Sequence, residues 1–136
     1  MVQKKRNRSI DEKIWKQLSV TAWKFSKNAR VLGKTKVGCA VLSGKEIFGG
    51  CNIEHKLRSH DIHSEISAIS SMVSAGIQKI DAILVVSKRD KFTPCGGCLD
   101  WIFEFGGPEC LVGYQTKKTG KITVFEAQEL MPYYPK

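Results

Sequence analysis

The chain predicts an α/β fold, a three-layer arrangement in which one mixed sheet of about five strands carries helices on both faces. Three observations point there. Segments with apolar residues every three or four positions alternate with short β-branched runs. Their order reads helix, two strands, helix, strand, helix, two strands. A length of 136 residues with 42% hydrophobic content suits one core and is short for two.

Residues 1–10, with Lys4, Lys5, Arg6 and Arg8, read as a basic, disordered tail ahead of a single domain over 11–136. From Asp11 to Arg30 the spacing of Ile14, Leu18, Ala22, Phe25 and Ala29 predicts an amphipathic helix, which Gly33 and its neighbouring lysines end. Val37 to Leu42 and Glu46 to Cys51 flank Ser43-Gly44-Lys45 and predict a hairpin. Residues 52–61 are polar and aperiodic. Ile62, Ile66, Ile69 and Val73 then predict a second helix, with Asp61 as N-cap and Gly76 as stop.

Ile80 to Ser87 contains Ile83-Leu84-Val85-Val86 and predicts a central strand buried on both faces. Pro94 opens a third helix, since its missing N–H would be unbonded at a helix start anyway. Leu99, Ile102 and Phe103 continue its apolar stripe. Glu109 to Gln115 and Lys121 to Glu126 are the last strands, joined by the turn Lys117 to Gly120, and Glu126 to Leu130 forms a short final helix.

The formal charge of +9, from 22 Lys and Arg against 13 Asp and Glu, permits attraction to phosphate without requiring it. Nucleic acid is therefore admitted as a partner but not favoured. No run approaches eighteen apolar residues and the basic start lacks an apolar signal core, which predicts a cytoplasmic protein with no membrane partner. Five cysteines is an odd count for a disulfide scaffold, and Cys95-x-x-Cys98 reads first as a metal or redox pair.

His63-Ser64-Glu65 falls at the start of the second helix and Cys95 and Cys98 at the start of the third, where free backbone N–H groups and the helix dipole favour electron-rich ligands. His63, Cys95 and Cys98 supply three zinc ligands, and Glu65 supplies a carboxylate that need not bind metal. A structural zinc is closed by four protein ligands, whereas a hydrolytic zinc keeps one position for water. Two thiolates and one imidazole leave one Zn²⁺ per subunit formally neutral and able to lower the pKa of a water towards about 7. Glu65 can take that water's proton and pass it on. A thioredoxin-like redox pair would not need His63-x-Glu65, and a structural zinc would need a fourth ligand from Cys39, Cys51 or Cys110.

His-x-Glu followed by Pro-Cys-x-x-Cys is the general signature of zinc deaminases. From about Lys36 to Pro132 the chain resembles the small cytidine deaminases. Phe48-Gly49-Gly50-Cys51-Asn52-Ile53-Glu54 is similar to that family's segment before the zinc helix, as are the eleven-residue step from Asn52 to His63, Pro94-Cys95-Gly96-Gly97-Cys98, and Glu129-Leu130-Met131-Pro132. The resemblance implies a cytidine-deaminase-like sandwich that hydrolyses cytidine or deoxycytidine to the uracil nucleoside and ammonia in pyrimidine salvage. It implies that Asn52 and Glu54 hold the sugar hydroxyls and that Ser64 offers its backbone N–H to the pyrimidine carbonyl. A homotetramer with shared sites is implied too. Many members use three cysteines with an arginine after the glutamate; His63 and Ile66 here depart together, since one thiolate fewer needs no compensating cation.

The chain also departs from the family at the substrate. Thr35 stands where a base-stacking aromatic is common, the loop His55-Lys56-Leu57-Arg58-Ser59-His60 is unusually basic, and the terminal aromatic has only Tyr133 and Tyr134 nearby. Lys56 or Arg58 meeting a phosphate would make nucleotides substrates, against the plainer reading of solvated charge. Three alternatives stay open: a blasticidin-S-type or other modified-cytosine nucleoside or nucleotide deaminase, an RNA or DNA cytosine deaminase, and a non-enzymatic zinc-stabilised binding module.

Overall fold

A computed structural model describes residues 10–90 and 93–135. The basic tail therefore lies outside the described residues except for Ile10. The elements are α1 (Glu12–Ser26), β1 (Val37–Ser43), β2 (Glu46–Cys51), α2 (Ser64–Ser74), β3 (Ala82–Ser87), α3 (Gly96–Gly106), β4 (Leu111–Gln115), β5 (Thr123–Glu126) and α4 (Ala127–Leu130). One five-stranded sheet has the order β2-β1-β3-β4-β5. The β3–β4 pair is parallel and the other pairs are antiparallel.

Every residue of β3 is buried, as expected of a central strand covered on both faces. The alternation of its side chains divides the core into two layers. Ala82, Leu84 and Val86, with Ala40 and Leu42 of β1, meet Trp15, Leu18, Ala22 and Trp23 of α1. Ile83 and Val85, with Cys39, Val41 and Val112, meet Ala68, Ile69 and Met72 of α2 and Leu99, Ile102 and Phe103 of α3. Helices thus cover both faces of a mixed sheet, the predicted architecture.

Helix α1 ends at Ser26, four residues before the predicted limit of Arg30. Beyond it the backbone is diverted: Arg30 N–H donates to the Asn52 carbonyl and Glu54 N–H to the Arg30 carbonyl. Its buried face also includes Ser19 and Trp23, while Ile14 and Phe25 are only half-buried. The reason is a polar node that apolar periodicity ignores. Ser19 Oγ and Trp23 Nε1 both donate to Gln115 Oε1 at 2.7 Å, and Gln115 Nε2 donates to the Gly120 carbonyl at 2.8 Å. Buried polar atoms need such partners, and these latch α1 to the end of β4.

Two adjacent glycines set the distance of both helix layers from the edge strand β2. A Cβ at Gly49 would come within 2.3 Å of the Phe25 ring on α1, and one at Gly50 within 2.4 Å of the Ala68 backbone nitrogen on α2. Neither contact leaves room for a side chain, so close helix–sheet approach requires glycine at both positions.

Candidate active site

Helix α2 begins at Ser64 with His63 as its N-cap, two residues later than the Asp61 cap predicts. Ile53 and Ile62 exchange backbone hydrogen bonds, each 2.8 Å, in an antiparallel bridge, so the chain is still extended at Ile62. Asp61 instead accepts from His55 N–H at 2.7 Å and from Arg58 Nε at 2.9 Å. Helix α3 likewise begins at Gly96 with Cys95 as N-cap, leaving Pro94 just outside it.

Neither N-cap side chain caps its own helix. They turn towards each other: His63 Nδ1 lies 3.4 Å from Cys95 Sγ and 3.3 Å from Cys98 Sγ. The ligand atoms of His63, Cys95 and Cys98 all lie within 4.8 Å of one another. Bonds of about 2.0 Å to nitrogen and 2.3 Å to sulfur at a tetrahedral angle separate those atoms by about 3.5 Å, so the cluster fits zinc. Among the described residues no fourth ligand joins it. Cys39 and Cys110 are fully buried in the core, and Cys51 is half-buried on β2.

The donor set also calls for a cation electrostatically. Burial pushes the Cys98 thiol far above its ordinary range, with the nearby Glu65 carboxylate and Cys95 acting in the same direction. Cys39, beneath the site, is raised chiefly by burial and then by Glu65 and Cys98. A divalent cation held by this donor set would offset that cost at Cys98, and its binding would release the thiol proton.

Glu65, only 4% exposed, stands in the first turn of α2, and Ser64 Oγ donates to its Oε1 at 3.0 Å. Both residues line a cavity of about 500 Å³ that is also bounded by His63, Cys95, Asn52, Glu54 and Thr35. All seven sequence-predicted residues therefore converge, Cys98 from behind at 1% exposure. Sequence reasoning passed over Arg89 and Thr93, which also line the cavity; their position shortly before Cys95 was the available signal.

Asn52 and Glu54 reach the cavity already engaged. Asn52 Oδ1 accepts from Val37 N–H at 2.9 Å, and its Nδ2 donates to the Thr35 carbonyl at 3.0 Å. Glu54 Oε1 accepts from Leu32 N–H at 2.6 Å and Gly33 N–H at 2.9 Å. Those backbone donors, Gly33 first, hold the Glu54 carboxyl below its ordinary range, and Arg58 adds to them. Asp61 is lowered by the His55 N–H and by Arg58. Arg58 thus serves two carboxylates, lying 2.9 Å from Asp61 and 3.6 Å from Glu54. Tyr134 is also used within its own chain, stacked on Phe103 with centroids 4.2 Å apart and donating to Asp100, whereas Tyr133 is 95% exposed.

Residues 12–114 match the family model described as the cytidine and deoxycytidylate deaminase zinc-binding region. The chain belongs to this deaminase family. Its zinc-binding character and the fitted cluster agree on Zn²⁺ as cofactor. A cytidine deaminase of Mycoplasma genitalium is 38% identical over 72 residues, 52% of this chain and 55% of that relative. One of Mycoplasma pneumoniae is 39% identical over 75 residues, 53% of this chain and 56% of the relative. The match thus spans little more than half of each curated relative. The solved cytidine deaminase of Burkholderia pseudomallei superposes with a TM-score of 0.78 at 27% identity, covering 86% of this chain and 95% of that one. Among the described residues the chain has no helix long and apolar enough to cross a membrane.

Proposed function

We propose that the chain is a zinc-dependent hydrolytic deaminase acting on cytidine and deoxycytidine, with residues 11–136 as one catalytic domain. One observation carries the reading: three zinc ligands, with no fourth among the described residues, open beside a buried carboxylate onto a cavity of nucleoside size. The relatives named cytidine deaminase support the same substrate class. Pyrimidine salvage and a homotetramer follow from the resemblance, and a cytoplasmic location from the sequence pattern; all three belong to this proposal.

Bound zinc would activate water for attack on the amidine carbon of the base. Glu65 takes one proton from the water and delivers it to the ring nitrogen; it then moves the second, from the hydroxyl now on the carbon, to the amino group, so that the C–N bond breaks as the carbonyl forms, ammonia leaves and the uracil nucleoside remains. Ser64 Oγ holds Glu65 Oε1, which leaves Oε2 for this traffic. The uncapped start of α2 provides the Ser64 backbone N–H for the pyrimidine carbonyl. Asn52 and Glu54 meet the sugar with their remaining capacity, the second amide hydrogen and the Oε2 that Arg58 faces at 3.6 Å.

Ammonia release from the zinc-loaded protein, measured on cytidine, deoxycytidine, blasticidin S and a cytosine-bearing single strand, tests the proposal alongside metal analysis. Cytidine and deoxycytidine should lead. Glu65→Ala should retain zinc and lose turnover by about 10²- to 10⁴-fold. No ammonia from any compound, or near-normal activity in that variant, would remove the assignment.

A further inference from the structure

Beside the zinc pocket lies a second cavity of about 590 Å³, placed where the end of α1, the loop before β1, the end of β3 and the β4–β5 turn meet. Six of its lining residues are cationic, namely Lys27, Lys34, Lys36, Lys88, Arg89 and Lys118, and none is acidic. Asp90, the carboxylate next in sequence, lines a different cavity with Tyr114 and Lys121. Among the described residues no ion pair engages the five lysines. Five lysines bordering one concavity with no acidic residue in its lining raise the local positive potential, and such a cleft concentrates anions.

Two residues, Thr35 and Arg89, line both this cavity and the zinc pocket, so the two lie side by side. Of the loop cations that sequence alone offered for phosphate, Arg58 is committed to Glu54 and Asp61, and Lys56 is in the lining of neither cavity. We propose that the basic cavity receives the phosphate groups of a cytosine nucleotide whose base occupies the zinc pocket. The size and charge of the cavity suit a nucleoside polyphosphate better than a single phosphate. This rests on the deaminase reading for what fills the zinc pocket; the anion site itself stands on the cationic lining.

The test compares cytidine, CMP and CTP, with inorganic pyrophosphate and a cytosine-bearing oligonucleotide as further arms, on the zinc-loaded full chain and on Lys88→Gln/Lys118→Gln. The wild-type kcat/KM should rise from cytidine to CTP and fall with added salt. The double variant should lower the CTP value by about tenfold or more, and far more than it changes the cytidine value. Calorimetric titration of CTP into zinc-loaded Glu65→Ala, with and without the two lysine replacements, gives a readout independent of turnover, expected to weaken in parallel. If no cytosine compound releases ammonia yet CTP binds and the variant abolishes it, the deaminase reading fails while the anion site stands. Equal kcat/KM for cytidine and CTP in the wild type would overturn the proposal. So would pyrophosphate binding as tightly as CTP without inhibiting turnover, or a preference for the oligonucleotide over CTP.

Discussion

Two stretches that meet in the same pocket are built on opposite plans. At the metal end, His63, Cys95 and Cys98 sit at two helix starts, cap nothing and face one another. Along the wall formed by Asn52, Glu54 and Asp61, each polar side chain is bonded to backbone of its own chain before any ligand arrives. The first arrangement keeps its donor atoms for a cation. The second is closed, and it fixes a loop whose regular structure is limited to isolated bridges at Ile53 and a single 3-10 turn. One site can therefore combine a binding centre kept short of partners with a wall kept rigid by having them.

The largest change should come from the open end. Cys98→Ala leaves two ligands, and zinc content measured on the purified protein should fall to near zero together with all deaminase activity. A variant that kept stoichiometric zinc would show that another residue completes the cluster. Along the closed wall, Asn52→Ala removes the acceptor of the Val37 N–H and the donor to the Thr35 carbonyl. It should cost about 1–3 kcal/mol in urea unfolding, with zinc retained and KM raised. An unchanged midpoint would mean that the wall is not held as described.

Glu54 gives the smallest effect and the one that depends on pH. Its folded-state pKa lies below the ordinary 4.5. Its stabilisation is thus complete above about the ordinary value and is lost as pH falls through the lower folded value. Glu54→Gln should therefore be less stable than wild type at pH 7, and the gap should close in strongly acidic buffer. A gap constant from pH 7 to pH 3 would show that the backbone bonds at Leu32 and Gly33 do not depend on the charge.

The same contrast explains what was legible beforehand. Ligand spacing is local: His63-x-Glu65 and Cys95-x-x-Cys98 each lie within one helix start, so sequence identified the members and the sheet order brought them together. The strands were legible because β3 is apolar from Ala82 to Val86 and the β1–β2 hairpin turns on a glycine with φ near 60°. The exact helix starts were not, because the Ile53–Ile62 bridge that delays α2 joins residues with no shared period. Nor could a count of apolar residues find Ser19 on the inner face, since its partner there is Gln115, more than ninety residues away. Asn52 and Glu54 were recognised by resemblance, but their bonds to Val37 and Leu32 needed the folded chain.

Gly49 and Gly50 carry a consequence of another kind. Because successive residues of a strand face opposite ways, this dipeptide touches both helix layers at once, one through Phe25 and the other through Ala68. A methyl group at either position would push a different wall of the sandwich outward: the one that forms the α1 layer, or the one that carries His63 and Glu65. In a library of random variants, two neighbouring positions should thus be equally intolerant for unrelated reasons, and double replacements should not rescue each other.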